Sequence, residues 1–393
     1  MNTGRSIFVQ LMDFAPRYEF NKCVSRWVGK YQAKKFSFWD QFLCMSFAQL
    51  THRESLRDIE TCLRAPSSKL YHIGIRSKVS RSTLAEANNQ RDWRIFADFA
   101  LLIISEARKL YAGDGFSVEL ANSVYALDST VIDLCLTLFP WAQYNERSAG
   151  VRVNTLLDLR GNIPSFIHIS SQKTSELFAM DLIAPEPGSI YIFDRGYFDW
   201  GRLQRFTNAA AFFVTRGKKD LAFTRLYSNK VSKANGVLAD QIIVPKDPES
   251  RKRHYDQVRR IKYVDNKTHK RFVFLTNNFS LPAETIAELY RSRWNIELFF
   301  KWIKQHLRIK SFFGTSENAV KTQIWIAVTT YVLVAILKKK LQLPHRLYTI
   351  LQFLSVAIFE KTPILHALSN VDYNSDLDTT TNQLNLFNNP TGH

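Results

Sequence analysis

The stretch Asn122–Leu134, NSVYALDSTVIDL, is an apolar segment that predicts a β-strand with a carboxylate, Asp128, in its middle. A second apolar stretch, SIYIFDRGY over residues 189–197, predicts a buried strand that ends in a turn at Asp194. Short apolar runs bounded by turn residues are typical of strands that are covered on both faces. The two stretches therefore indicate an interior sheet that carries two aspartates.

The segments around these two strands indicate the class of the sheet. They are, in order, strand 122–134, two strands within 153–170 around a turn at 160–162, helix 176–184, strand 189–197, helix 201–210 and strand 211–217. A meander of strands that changes to alternating helices and strands predicts an α/β fold with a mixed sheet flanked by helices. Ribonuclease-H-like domains have this order.

Residues 1–110 precede the strands and are predicted to be helical. Residues 55–63 form one amphipathic segment, and Thr83 with Glu86 three residues later has the spacing of a capping box. Two helices on either side of a turn at Gly74 could form a helix-turn-helix that binds DNA. An ordinary helical bundle explains the same pattern equally well.

The stretch from Arg216 to Arg271 departs from the α/β order and is strongly basic. It contains 16 Lys and Arg against 6 Asp and Glu, a difference of +10 out of a net charge of +18. Such an excess favours a polyanion as partner, with nucleic acid ahead of an anionic membrane. We predict a basic β-rich insertion over 217–267 and expect the cluster Arg251, Lys252 and Arg253 to bind DNA.

The core pattern resumes with a strand over 271–278 and one long helix over 282–309. The most apolar run, Ile324–Leu337, is shorter than the ~20 residues of a membrane span and predicts a buried core helix. The four scattered cysteines predict neither a disulfide framework nor a zinc site, and fit a reducing cytoplasm. No membrane association is expected.

Three acidic residues lie in apolar surroundings: Asp128, Asp194 and Glu297, the last within RWNIELFFKW. A buried carboxylate is costly unless it is paired or binds a cation, although each of these acids alone is more often structural. Carboxylates without His or Cys favour hard cations, which indicates Mg²⁺ or Mn²⁺. Two such ions suit an in-line phosphoryl displacement.

The helix around Glu297 carries further polar groups at helical spacing. Tyr290, Arg293, Glu297 and Lys304 are separated by three, four and seven residues, which predicts that they share one helix face. That face would offer phosphate-binding cations and a hydroxyl beside a carboxylate. A surface helix with an ordinary ion pair between Arg293 and Glu297 is the alternative.

These motifs resemble those of a known family. YRSRWNIELFFKWIK over 290–304 resembles the YREK helix of the DDE transposases of the insertion sequence 4 family, and YALDST and IFDRGY resemble its two aspartate segments. The resemblance implies a ribonuclease-H-like fold and cut-and-paste transposition in the bacterial cytoplasm, at the nucleoid. It also implies a homodimer that synapses the transposon ends and joins them to target DNA.

The same resemblance implies roles for individual residues. Asp128, Asp194 and Glu297 would hold two metal ions, while Tyr290, Arg293 and Lys304 would contact the transposon end, with Trp294 beside them. It divides the chain into a helical DNA-binding region 1–110, catalytic core 111–216, insertion 217–267, catalytic core 268–340 and C-terminal segment 341–393.

Two other functions account for part of the pattern. A ribonuclease-H-like nuclease or resolvase would share the three acids without needing the cationic helix face, and a DNA-binding derivative would need neither. Among other candidates for the site, Asp133, Asp158 and Asp199 are interpreted as turn or surface groups, and His254 as a solvated loop residue.

The C-terminal segment contains one further motif. From about Asn370 the composition predicts a flexible tail. Within it Gln383, Leu384, Leu386 and Phe387 belong to the sequence QLNLF, which resembles the pentapeptide by which many proteins bind the bacterial sliding clamp. Docking of these apolar residues on the chain itself is the alternative.

Overall fold

The structure is a computed structural model that describes residues 4–29, 33, 35–65, 73–75, 78–115, 120, 122–218, 220–232, 235–254, 256–306 and 312–369. A sheet of ten strands forms its centre. The strands are β1 (Val124–Leu134), β2 (Gln143–Asn145), β3 (Ser148–Asp158), β4 (Ile163–Ser171), β5 (Ile190–Phe193), β6 (Phe212–Arg216), β7 (Phe223–Asn229), β8 (Val237–Pro245), β9 (Val258–Val264) and β10 (Arg271–Thr276).

Helices cover both faces of the sheet. They are α1 (Ile7–Met12), α2 (Arg17–Val28), α3 (Phe38–Leu50), α4 (Leu56–Arg64), α5 (Arg81–Gln90), α6 (Arg94–Tyr111), α7 (Phe178–Leu182), α8 (Trp200–Asn208), α9 (Pro248–Arg253), α10 (Ala283–Ser292), α11 (Trp294–Lys301), α12 (Glu317–Lys340), α13 (Leu347–Ala357) and α14 (Ile364–Ser369). The predicted order of strands and helices from 122 to 217 is confirmed, with the short β2 as an addition.

The sheet is mixed, as predicted. Strands β1, β3 and β4 form an antiparallel meander, whereas β1, β5 and β6 run parallel to one another. Side chains alternate between the two faces, so one face of β1 belongs to a large core shared with the N-terminal helices and α12, and the other face belongs to a second core with α7 and α8. Asp128 belongs to the first face, with Ala126 and Ile132 as its neighbours on the strand.

The predicted insertion extends this sheet. Strand β10 pairs with β6, and β9, β8 and β7 follow in antiparallel order beyond it. Its strands β8 and β9 were predicted, whereas the edge strand β7 was not, because five of its seven residues face solvent and its apolar residues do not alternate with polar ones. The basic stretch is therefore one end of the central sheet.

Helix α12 runs through the core of the fold. By length and composition α12 could cross a membrane, but 94% of its apolar stretch of 18 residues is buried inside the protein. This agrees with the predicted core helix. It packs against α6, α3 and α5, and the Tyr111 hydroxyl donates to the Ala335 carbonyl at 2.8 Å. The N-terminal helices consequently share one hydrophobic core with the sheet.

The N-terminal helices differ from one prediction. Helix α5 is capped by Ser80, whose hydroxyl accepts from the Thr83 amide, so the predicted capping box at Thr83 is wrong. Between α4 and α5 the structure describes only residues 65, 73–75 and 78–80, where Gly74 has a φ of 84°. Helices α4 and α5 are in contact, and the helix-turn-helix stays a prediction.

Candidate active site

Asp128 and Asp194 lie side by side on neighbouring parallel strands. Leu127 of β1 pairs with Phe193 of β5, and each aspartate is the next residue along its strand. Paired positions on adjacent parallel strands are ~5 Å apart and point to the same face. Each segment has one aspartate directly after an apolar run, and the parallel pairing of β1 with β5 brings the two carboxylates together where β5 ends.

Glu297 approaches the aspartates from the helical layer. It lies in the first turn of α11, which packs against β1. The predicted single helix 282–309 is wrong, because α10 ends at Ser292 and α11 begins at Trp294. At the break the Arg293 amide bonds to the Tyr290 carbonyl, three residues back, at 3.2 Å.

Arg293 connects two of the three acids. Its guanidinium donates to Asp128 at 2.8 Å and to Glu297 at 2.5 Å, and only 15% of its side chain is exposed. The ion pair with Glu297 is the one expected of an ordinary surface helix. The second partner, 165 residues away, shows instead that this helix face closes on the sheet.

Tyr290 forms a hydrogen bond with the third acid, Asp194. Its hydroxyl donates to Asp194 Oδ1 at 3.0 Å, and the residue is only 8% exposed. Its ring packs against Phe274 of β10, with centroids 5.0 Å apart. Tyr290 therefore lies at the site, but its hydroxyl is directed at a carboxylate rather than outward.

The two aspartates differ in their electrostatic surroundings. Burial raises the pKa of Asp128 to about 6, although Arg293 and the Ser129 amide oppose that shift. Burial also raises the pKa of Asp194, but the adjacent amide, Arg293 and Tyr290 outweigh it, so that this pKa is lowered. The Arg293 pKa is raised despite burial, because Tyr290 and the acids surround it.

The remaining predicted helix residues lie farther along. Trp294 is partly exposed at the start of α11. Lys304 is partly buried in a π-helical turn, Trp302–His306, so the regular spacing that predicted a common face does not extend to it. Three of the four polar residues, Tyr290, Arg293 and Glu297, thus converge on the aspartates.

Arg251, Lys252 and Arg253 form the last turn of α9, where all three are exposed. The Lys252 ammonium pairs with Glu249, and Arg251 donates to the Pro245 carbonyl at 2.9 Å. The cluster lies over the end of the sheet formed by β7–β10, on α9, which packs against α8 and β8. Its cations face solvent, as a phosphate-binding cluster requires.

His254, which follows this cluster, was predicted to be solvated, and that prediction is wrong. It has no exposed surface, and its ring lies 5.1 Å from that of Trp200. Asp158 accepts from the Arg160 amide at 3.0 Å, which confirms it as a turn group, but it is buried at the end of β3 and pairs with Arg108 at 3.4 Å. Both depend on partners from distant elements, which the local sequence does not reveal.

The other two acids agree with their interpretation. Asp133 is exposed on β1, and Asp199 caps α8 by accepting from the Arg202 amide at 2.9 Å. The tail motif, Gln383 to Phe387, lies outside the described residues.

Charged residues near the acids that the sequence did not indicate are Arg216 and the two cleft residues Lys218 and Asp220. Arg216 follows Thr215, which pairs with Phe193, so it lies one strand from Asp194 and helps to lower that residue's pKa. An open cleft of about 590 Å³ beside Asp194 is lined by Lys218 and Asp220 as well. Arg216 could have been found as the last residue of a predicted strand parallel to the two that carry the aspartates.

The acids suit a divalent cation by their chemistry, since all three offer carboxylate oxygens. Among the described residues, no three His, Cys, Asp or Glu side chains stand close enough together to form a ready metal site. The Arg293 guanidinium lies between two of the acids and supplies positive charge there. A buried aspartate with a raised pKa is a group that a cation would stabilise in its charged form.

The mixed sheet, with Asp128 in the middle of β1 and Asp194 directly after β5, defines an α/β protein, and sequence comparison identifies its family. Residues 119–333, more than half of the chain, match the family described as Transposase DDE domain. The chain belongs to this family and is a DNA-cleaving transposase. Residues 3–76 match a second family, described as a domain of unknown function.

Individual relatives agree with this assignment. A putative transposase of Sinorhizobium fredii is 33% identical over 64% of this chain and 70% of its own length. A probable transposase for an insertion sequence element of Geobacillus stearothermophilus is 28% identical over 64% and 66%. One of Synechocystis is 23% identical over 79% and 86%.

Among solved structures, a piggyBac transposase synaptic complex with hairpin DNA is similar over 98% of this chain and 84% of that chain. Its sequence identity is 9% and its TM-score 0.47, a similarity too weak to bear on the site.

Proposed function

We propose that this transposase is of the insertion sequence 4 type, and that it cuts the ends of its element and joins the 3′ ends to target DNA. The observation that carries the proposal is the convergence of Tyr290, Arg293 and Glu297 on two adjacent aspartates. A nuclease needs the acids, but it has no need of a cationic helix face beside them.

The strand order supports a ribonuclease-H-like catalytic core. The order β4-β3-β1-β5-β6, with an antiparallel meander followed by parallel strands, is the one expected of such a domain. In it the first two acids lie on the central strand and its parallel neighbour, and the third comes from a later helix.

Asp128, Asp194 and Glu297 would hold two divalent cations, Mg²⁺ or Mn²⁺. When bound, such ions activate the attacking oxygen and stabilise the leaving oxygen of a phosphodiester. The residues of the chain would position the reactants: Tyr290 orients Asp194 through its hydrogen bond, and Arg293, Lys304 and Trp294 would contact the DNA end. We thus assign Tyr290 to positioning rather than to gripping DNA.

DNA is the proposed partner in two places. The transposon end would occupy the cleft beside Asp194, and the basic end of the sheet, with Arg251, Lys252 and Arg253, would bind flanking phosphates. Cleavage of two ends in one synaptic complex calls for a homodimer. We place the enzyme in the bacterial cytoplasm, at the nucleoid.

A strand-transfer assay tests this function against its alternatives. The substrate is a duplex carrying the inverted repeats that flank the coding sequence, mixed with plasmid target in Mg²⁺. The proposal expects end cleavage followed by covalent joining to the plasmid. Cleavage without joining would identify a nuclease or resolvase, and binding alone would identify a non-catalytic derivative.

A further inference from the structure

Arg293 occupies an unusual position for a residue expected to contact DNA. Its fork of N–H donors spans two carboxylates of the catalytic set, Asp128 at 2.8 Å and Glu297 at 2.5 Å. A guanidinium remains charged at all ordinary pH values and fits planar oxyanions with two hydrogen bonds. The catalytic acids thus have a resident cation that belongs to the chain itself.

We infer that Arg293 holds Asp128 and Glu297 until a DNA phosphate takes over its guanidinium, and that metal binding is in this way coupled to binding of the transposon end. The inference rests on the proposed function, because it assumes that these acids are the metal ligands. It adds a regulatory role that a simple phosphate contact does not have.

Electrostatics favours the pairing of Arg293 with the acids and opposes metal binding beside it. Asp128 is largely buried, with 20% of its side chain exposed, and a buried carboxylate without a cation beside it is strongly disfavoured. Arg293 meets that need. A divalent ion bound by the same two carboxylates would lie close to the guanidinium and be repelled by it. While Arg293 stays in place, it lowers the affinity of the acids for metal.

A DNA phosphate can displace the Arg293 guanidinium from the two acids. Phosphate competes well for arginine, because it also accepts two parallel charge-assisted hydrogen bonds. The open cleft beside Asp194 would admit a DNA backbone next to the strand that carries Asp128, and 15% of the Arg293 side chain remains exposed. Arg293 also lies at the break between α10 and α11.

The consequence follows from thermodynamic linkage. If end DNA relieves the acids of Arg293, it raises their metal affinity, and metal must raise the affinity for the end by the same factor. The acids would therefore bind metal mainly when a transposon end is also bound. Such coupling would restrain metal-dependent cutting of unrelated DNA.

The test measures Mn²⁺ binding to the full chain by calorimetry, alone and with a duplex that carries an already cleaved end. In the wild type we expect the duplex to strengthen Mn²⁺ binding about tenfold or more. In Arg293→Gln we expect tighter Mn²⁺ binding without DNA and little further gain on adding it. Arg293→Lys keeps the charge but cannot span both acids, and should fall between the two.

Two controls separate this from general charge effects. Arg291→Gln removes an arginine that pairs with the non-catalytic Asp265 at 2.8 Å, and should behave like the wild type. Arg216→Gln removes a cation near Asp194 that is stacked on Phe272, 5.3 Å from the ring centre, and should change Mn²⁺ binding less than Arg293→Gln does.

The outcomes distinguish two failures. If Asp128→Asn abolishes Mn²⁺ binding while Arg293→Gln and Arg293→Lys bind no more tightly than the wild type, the coupling is overturned and the catalytic site stands. If Arg216→Gln strengthens binding as much as Arg293→Gln, the effect is general charge and the coupling is again overturned. If Asp128→Asn leaves Mn²⁺ binding unchanged, the proposed metal site itself is wrong.

Discussion

The Tyr290 hydroxyl donates a 3.0 Å hydrogen bond to Asp194, which lies 96 residues earlier in the chain. This bond joins the helix signature to the second aspartate segment, and the ion pairs of Arg293 join it to the first aspartate and to Glu297. Tyr290 near the end of α10 and Arg293 at the break before α11 therefore hold the three acids in place without any bound DNA.

Tyr290→Phe should slow cleavage about 10- to 100-fold, because loss of a hydrogen bond that orients a metal ligand typically costs that much. Stability should change little, since the buried ring remains packed against Phe274. The measurement is single-turnover cleavage of end DNA. Tyr331→Phe is the matched control: it removes a buried hydroxyl that bonds to the Asn162 carbonyl at 3.0 Å, away from the acids. If Tyr290→Phe and Tyr331→Phe cleave at the same rate, the Tyr290 hydroxyl has no specific role in cleavage.

Replacing Arg251, Lys252 and Arg253 by Ala should reduce the salt dependence of DNA binding. Each phosphate contact contributes a slope of about 0.9 in log affinity against log salt. The affinity should be measured between low and moderate salt for wild type and variant. The control replaces three exposed cations outside both predicted DNA-binding regions, Lys340, Arg346 and Lys361. A slope that changes equally in both would show that the α9 cluster has no particular contact with DNA.

The burial of His254 predicts a pH-dependent stability. Burial lowers the His254 pKa, although the Trp200 backbone and Asp256 offset part of the effect. The pKa of His254 in the folded chain lies below the unfolded value of about 6.5. Burial of the neutral ring therefore contributes its full stability above pH 6.5, and this stability is lost as the pH falls from 6.5 towards the folded pKa. His254→Phe should therefore flatten the fall in melting temperature between pH 8 and pH 5.

The exposed His366→Gln is the control for that experiment and should melt with the wild-type pH dependence. A His254→Phe profile parallel to that of the wild type would mean that other groups account for the acid sensitivity.

The tail motif leads to a binding prediction. If Leu384, Leu386 and Phe387 fit an apolar pocket of the sliding clamp, the chain should bind the clamp with modest affinity, because a flexible tail must be ordered on binding. Calorimetric titration of the clamp should detect this binding, and Leu386→Ala/Phe387→Ala should abolish it. Binding by neither protein, or equally by both, would exclude the motif as a clamp ligand.

Local sequence sufficed to predict the sheet and the two aspartates. A carboxylate at the end of an apolar strand such as IYIF is visible without any partner, and the order of strands along the chain fixes which of them can lie parallel. The helix signature was equally visible, because Tyr290, Arg293 and Glu297 are neighbours on adjoining turns.

Features that depend on distant partners could not be predicted. The burial of His254 requires Trp200 and Phe213 from other elements. The continuation of the sheet through the insertion depends on the pairing of β10 with β6, over a long separation in sequence. The helix break at Arg293 and the π-helical turn have no Pro or Gly to mark them, so the sequence indicated one long helix.

The most direct test of the account is DNA cleavage in Mg²⁺ by Asp128→Asn, Asp194→Asn and Glu297→Gln, each of which keeps the shape of the side chain but removes its charge. We expect each variant to lose cleavage and joining by about 10²- to 10³-fold or more while binding to end DNA stays nearly unchanged. Asp133→Asn, an exposed change on the same strand as Asp128, should cleave like the wild type. Wild-type cleavage by any one of the three variants would contradict the assignment of that acid to the catalytic site.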